Sequence, residues 1–225
     1  MEPVLDVVEP DGATTAVALV LHGGRAKGTA PVRRTHLAVV RMAPFAAALR
    51  TRGLHNGLAV ARLRYLVRGW NGRRQSPVPD VRWALDRLAA RFPGAGVALV
   101  GHSMGGRAAI YTAGHDAVRV VVGLAPWLEP DDPYEQTAGR HVLVAHGARD
   151  RITNPANSAA WTRRAATVAA SASYLGIRRE RHAMLLRAGL WHAVTADYVL
   201  ATLCGVQSRT GPVSEILAGR ASLVV

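Results

Sequence analysis

A serine, an aspartate and a histidine, widely spaced along the chain, carry the chemistry this sequence can do. Ser103 stands in Gly101-His102-Ser103-Met104-Gly105-Gly106, between the apolar run 97–100 and an Ala-rich stretch. The pattern predicts a strand, a sharp turn and a helix, with the serine at the turn. A serine whose Oγ must stand free needs small neighbours, and Gly101 and Gly105 bring no Cβ. A helix starting there aims backbone N–H groups and the positive end of its dipole at the site. Developing negative charge is stabilised by such donors. In a chain with 22 Gly the pentapeptide alone is weak, and its strand and helix flanks make it strong. The plain alternative is that Ser103 merely caps the helix.

A serine hydroxyl is a poor nucleophile without a base, and the base needs an orienting carboxylate. Both are sought just after later strands. Asp150 follows the apolar run 141–145 in His146-Gly147-Ala148-Arg149-Asp150, and His182 follows the run 172–177. Asp131 and Asp132, on the loop after an earlier strand, are the alternative acids. His192, in a predicted helix beside Trp191, is the alternative base. His22, His102 and His146 lie beside motif glycines at strand ends, where hydrogen bonding around the site is the expected role.

Positioning these residues requires a particular frame. Short apolar runs predict strands at 2–9 (an edge strand), 16–21, 58–63, 97–100, 118–124, 141–145 and 172–177. Helical spacing predicts helices at 38–52 (begun late or kinked by Pro44), 80–92, from the serine to about 113, 155–169 and 183–203. The alternation argues an α/β class: a mostly parallel central sheet with helices on both faces, a three-layer sandwich. In such sheets ligands lie beyond the carboxyl ends of the strands. One domain is expected over 1–205, without a large cap, because the 125–140 segment is too short for a helical subdomain. The tail, 206–225, has no strong period and is expected to pack loosely or to serve an interface.

Composition narrows the function. The net charge of +13 suits nucleic acid, yet Lys27 is the only lysine, the arginines are scattered, and aromatic residues are 5%. No specific nucleic-acid partner is expected, since net charge speaks to non-specific association rather than to a site. The single Cys204 excludes an internal disulfide and a cysteine-rich metal site, and reads as a structural thiol. No His-Glu-x-x-His spacing and no lysine-bearing phosphate loop is present, so no metal and no cofactor is expected. The first residues lack a basic start and apolar stretch, and no apolar run approaches the roughly 20 residues that span a bilayer. A cytoplasmic protein without a membrane partner is the expectation.

With His22-Gly23-Gly24 after an early strand, Gly101–Gly106, His146–Asp150, His182 and the Val67-Arg68-Gly69-Trp70-Asn71-Gly72-Arg73 loop, the chain resembles the α/β-hydrolase fold superfamily up to about Leu203. The Gly-x-Ser-x-Gly turn is then its nucleophile elbow, and the triad order Ser, Asp, His matches. The resemblance implies acyl transfer from a small-molecule ester, with thioester and amide as alternatives. Ser103 would attack, His182 would act as base and then acid, and Asp150 would fix the imidazole tautomer. The N–H groups of Met104 and Gly24 would form the oxyanion hole, with Arg25 as second donor if the His-Gly-Gly register is shifted. A peptidase, a lactone or dienelactone hydrolase, a haloperoxidase-like enzyme and a non-catalytic binder stay open. Arg25 and Trp127 are candidate substrate contacts at the mouth. With Lys27, Arg68, Arg73 and Arg74, Arg25 suggests a substrate bearing a negative group, against scattered surface charge. Oligomeric state is left open.

Overall fold

The computed structural model describes residues 2–225. Eight strands form one sheet: β1 (Val4–Val8), β2 (Ala16–Leu21), β3 (Leu58–Arg64), β4 (Gly96–His102), β5 (Val118–Leu124), β6 (His141–Gly147), β7 (Ser171–Ile177) and β8 (Ser222–Val224). Their order is β1-β3-β2-β4-β5-β6-β7-β8. Only β1 runs antiparallel, on β3 at the edge, where its alternately exposed residues suit a strand with one open side.

The middle strands are continuously apolar because both faces are covered. The period-2 geometry of a strand sends alternate side chains to opposite faces. Val17, Leu19 and Leu21 of β2 enter one apolar layer, and Ala16, Ala18 and Val20 enter the other. The first layer is closed by α3 (Pro77–Arg91), α4 (Met104–Tyr111) and α5 (Pro155–Ala165), through Leu85, Ala109 and Trp161. The second is closed by α2 (Ala43–Gly53), α6 (Ala188–Cys204) and α7 (Gly211–Leu217), through Phe45, Trp191 and Ile216. Each fully buried Leu or Val contributes about 1.5–3 kcal/mol.

The α/β class and the strand positions stand as the sequence reading has them, and four differences bear on the architecture. The helix over 38–52 is two helices, α1 (Leu37–Arg41) and α2, because Pro44 cannot donate to the preceding turn. Helix α3 begins at Pro77 rather than Asp80, since Pro77 and Pro79 fit a first turn that needs no N–H donors. Residues 183–187 are turn, and α6 starts at Ala188.

The fourth is a correction at the tail. Residues 206–225 do not pack loosely: α7 buries Val213 and Ile216, and β8 adds an eighth strand parallel to β7. Asp197 on α6 anchors the segment, accepting from the Arg209 and Thr210 N–H groups and from the Ser208 and Thr210 hydroxyls. The sequence signal is faint because the strand has three residues and α7 buries only Val213 and Ile216.

Among the described residues no helix is long and apolar enough to cross a membrane. Segment 125–140 holds one short turn of helix at Glu135–Thr137 and no cap domain.

Candidate active site

Strand β4 and helix α4 meet at Ser103, whose backbone adopts φ 55° and ψ −119°. That conformation costs a non-glycine residue on the order of 1–3 kcal/mol and persists only where the surroundings enforce it. Here they do. The Ser103 N–H donates to Leu124 O at 3.0 Å, and its carbonyl accepts from the Arg107 and Trp127 N–H groups, each at 3.1 Å. The flanking glycines are required by space. A Cβ at Gly105 would lie 2.6 Å from His22 O, and one at Gly101 would lie 2.6 Å from Gly106 N.

The Ser103 Oγ lies 3.1 Å from His182 Nε2, and His182 Nδ1 lies 2.8 Å from Asp150 Oδ2. The three residues arrive on β4, after β6 and after β7, at the carboxyl edge of the sheet. The carboxylate is fully buried, and the imidazole is mostly so. The donor set around Asp150 is dense. Its Oδ1 accepts from the Ile152 and Thr153 N–H groups, and its Oδ2 accepts also from the Thr153 hydroxyl and from His146 Nε2–H. Burial pushes this carboxyl up, and the hydrogen bonds from His146, His182 and Ile152 outweigh it, holding Asp150 well below the usual carboxylate range. It is an anion throughout the working pH range.

Residues not singled out from the sequence complete the site. Thr153 sits 3.1 Å from His182 Nδ1 as well as on the carboxylate. Ser158 donates to His146 Nδ1 at 2.9 Å, which leaves Nε2–H for Asp150. Glu180, fully buried, accepts from the Leu186 and Arg187 N–H groups and the Trp191 indole, so it moulds the histidine loop. The weak signal for these was position alone: Thr153 three residues after the acid, and Glu180 two before the histidine.

The three motif histidines hydrogen-bond around the site. His102 Nε2–H donates to His182 O at 3.0 Å, tying the elbow to the histidine loop, and its Nδ1 is buried without a partner. His22 Nδ1–H donates to Gly23 O, and its Nε2 accepts from Tyr65 N–H. Both are kept neutral. Burial foremost, then the neighbouring His182, lowers His102 to about 3, and burial lowers His22 to about 4.

These two shifts predict acid lability. Between the ordinary histidine value and the lowered ones, the unfolded chain binds protons that the folded chain refuses. Stability from this source is therefore intact above about pH 7 and lost as pH falls. From pH 7 to pH 5 the two should remove roughly 4 kcal/mol of unfolding free energy. Urea unfolding at the two pH values measures it, and His22→Gln should shrink the difference. Equal stability at both pH values would show that the folded chain accepts these protons.

The Gly24 and Met104 N–H groups donate to no protein acceptor among the described residues, while Arg25 N–H donates to Arg68 O at 2.9 Å. The shifted register is thus disfavoured: Arg25 is not a free donor and Gly24 is. Gly24 is exposed and packs on Met104, so a Cβ there would meet the Met104 thioether and lie 2.6 Å from Arg68 O.

The alternative acids and base lie elsewhere. Asp132 is buried, accepting from Arg107 at 2.6 and 3.1 Å and from the Tyr111 hydroxyl, and Asp131 is exposed. His192 packs edge-on against Phe45 at 4.6 Å, between α6 and α2. Trp127 is half-exposed beside the elbow, its backbone N–H on Ser103 O. Its ring stacks on the Arg107 guanidinium at 4.7 Å, with Trp70 on the same cation at 4.6 Å, and its indole N–H donates to Glu129. Cation and rings hold each other. Two clefts flank the site. One cleft, about 390 Å³, opens beside Gly23, Gly24 and Arg25, and the other, about 650 Å³, opens beside Asp150, Arg181 and His182. Cys204 is half-buried and free. Among the described residues no group of three or more His, Cys, Asp or Glu is placed to hold a metal ion.

No family model matches the chain, and no curated protein matches it in sequence. Solved structures do match in shape. An α/β serine hydrolase without a lid from Xanthomonas campestris aligns with TM-score 0.65 at 16% identity, covering 90% of this chain and 90% of that one. Est1E from Butyrivibrio proteoclasticus, solved with ferulic acid bound, aligns at 0.65 and 12%, covering 89% and 96%. An α/β serine hydrolase homologue from Coxiella burnetii aligns at 0.61 and 14%, covering 85% and 89%.

Proposed function

The chain has the α/β-hydrolase fold, and on that frame we propose that it is a serine hydrolase that cleaves a carboxylic ester. The observation that carries this is the unbroken line from Ser103 Oγ through His182 to Asp150, at 3.1 and 2.8 Å. Esterase names among the neighbours belong to those proteins, and they favour an ester over an amide here.

In the reaction, Ser103 Oγ attacks the ester carbonyl as His182 Nε2 takes its proton. The carbonyl oxygen becomes an alkoxide, stabilised by the N–H groups of Met104 and Gly24, which have no other partner. Collapse breaks the bond to the leaving oxygen, and His182 returns the proton to it, leaving an acyl-serine and a free alcohol. A water then gives its proton to His182 and attacks the acyl carbon, which releases the acid and restores Ser103. Asp150, an anion saturated with donors, holds the tautomer with Nδ1–H toward it and stabilises the imidazolium.

Two assays test this. A fluorophosphonate should label the protein once, on Ser103, and a series of p-nitrophenyl esters should be hydrolysed with an optimum that sizes the acyl pocket. An unlabelled serine together with no turnover of any ester would favour the non-catalytic binder.

A further inference from the structure

The cleft beside Gly24 has a charge character that ester hydrolysis alone does not use. It is bounded by Gly23, Gly24, Arg25, His36, Leu37 and Arg68, and no carboxylate lines it. Arg25 and Arg68 are mounted on a hydrogen-bonded bridge: Arg25 N–H donates to Arg68 O, and Trp70 N–H returns to Arg25 O, both at 2.9 Å. Asn71 locks the same two loops, accepting from Gly28 N–H and donating to Gly28 O and Gly69 O. The two guanidiniums are thus held on fixed backbone. None of the ion pairs among the described residues includes Arg25, Lys27, Arg33 or Arg68. Among the described residues Arg62, Arg87, Arg91, Arg107 and Arg220 pair with acids and the other arginines do not, so what marks Arg25 and Arg68 is their place on one cleft free of carboxylates. The unpaired positive field is also felt by His36, which is pushed down by partial burial and then by Arg68, Arg33 and Arg25.

We propose that this cleft is an anion subsite, in which Arg25 and Arg68 hold a carboxylate or phosphate group carried by the ester substrate. The proposal rests on the serine-hydrolase reading for its substrate, and on the cleft alone for its binding. Its position follows from the oxyanion site. A substrate whose carbonyl oxygen reaches Gly24 N–H continues past Gly23 and Gly24 into the cleft, where Leu37, exposed at the rim, offers apolar contact to a short spacer. Guanidinium is the group best matched to the planar fork of a carboxylate and to phosphate oxygens.

The experiment has two arms. In the first, kcat/KM is measured for mono-p-nitrophenyl glutarate and for p-nitrophenyl pentanoate, its neutral counterpart. Wild type should favour the anionic ester by about tenfold or more at low salt, and the preference should shrink as salt rises. Arg25→Gln/Arg68→Gln should lower the ratio of the two kcat/KM values at least tenfold. Arg73→Gln/Arg74→Gln removes the same charge from two exposed residues outside the cleft, and should leave the ratio within about twofold. In the second arm, calorimetry reads binding of glutarate and of inorganic phosphate without turnover. Binding should be lost in the Arg25/Arg68 variant and kept in the Arg73/Arg74 variant, and the tighter probe identifies carboxylate or phosphate as the class. Binding that survives loss of Arg25 and Arg68, no binding of either probe, or an equal effect of the two double variants would overturn the subsite. Binding together with an unlabelled Ser103 and no turnover of any ester would keep the subsite and overturn the esterase reading.

Discussion

Ser103→Ala is expected to lower kcat for a p-nitrophenyl ester by on the order of 10⁴- to 10⁶-fold, with KM within a few-fold of wild type. The size follows from what is lost. Without the hydroxyl no acyl-serine forms, and water must attack directly with His182 as base. What survives is binding and the two N–H donors at Gly24 and Met104, which still hold the carbonyl oxygen. The variant should fold at least as well as wild type. The positive φ at Ser103 is enforced by hydrogen bonds of its backbone and by the close packing of Gly101 and Gly105, none of which involves Oγ. A variant that folds and retains a tenth of the activity would place the nucleophile elsewhere.

His182→Ala should be similarly severe, and His192→Ala should change kcat/KM by less than about threefold. His182 Nε2 is the base within reach of Ser103 Oγ, and its Nδ1 is anchored on the buried Asp150 carboxylate. His192 lies against Phe45 in the layer between α6 and α2, with burial lowering its proton affinity. Its loss should appear in stability instead, as a modest loss of aromatic packing, about 1 kcal/mol. Added imidazole should restore part of the His182→Ala activity, because the missing ring leaves a space that is open to solvent on one side. It should restore none in Ser103→Ala, which lacks the atom to be deprotonated. Full activity in His182→Ala with a dead His192→Ala would reverse the assignment.

Much of the frame was legible because its signals are local. Six-residue apolar runs such as Ala16–Leu21 say that a strand is covered on both faces, and Gly-x-Ser-x-Gly between such a run and an Ala-rich stretch says that the turn is tight. The elements that were misjudged are those whose stability is not local. Helix α7 and strand β8 are too short to carry a period, and they exist because Asp197 and the edge of β7 receive them.

The class of fold, the turn that exposes Ser103 and the order in which acid and base are expected to follow can be read from the chain alone. These depend on residue type and spacing over a few positions, which the chain carries wherever it goes. The sequence names Asp150 and His182 ahead of Asp132 and His192, and the tertiary structure supplies the distances that bring them to Ser103. Asp150 rather than Asp132, and His182 rather than His192, lie near Ser103 because the parallel register sets the ends of β4, β5, β6 and β7 along one edge. The same register brings Thr153, His146 and Glu180 around the pair, and aligns the arginines of two separate loops along one cleft. Convergence of that kind arises from strand pairing between distant segments, and no local pattern encodes a distance between residues that lie 79 positions apart.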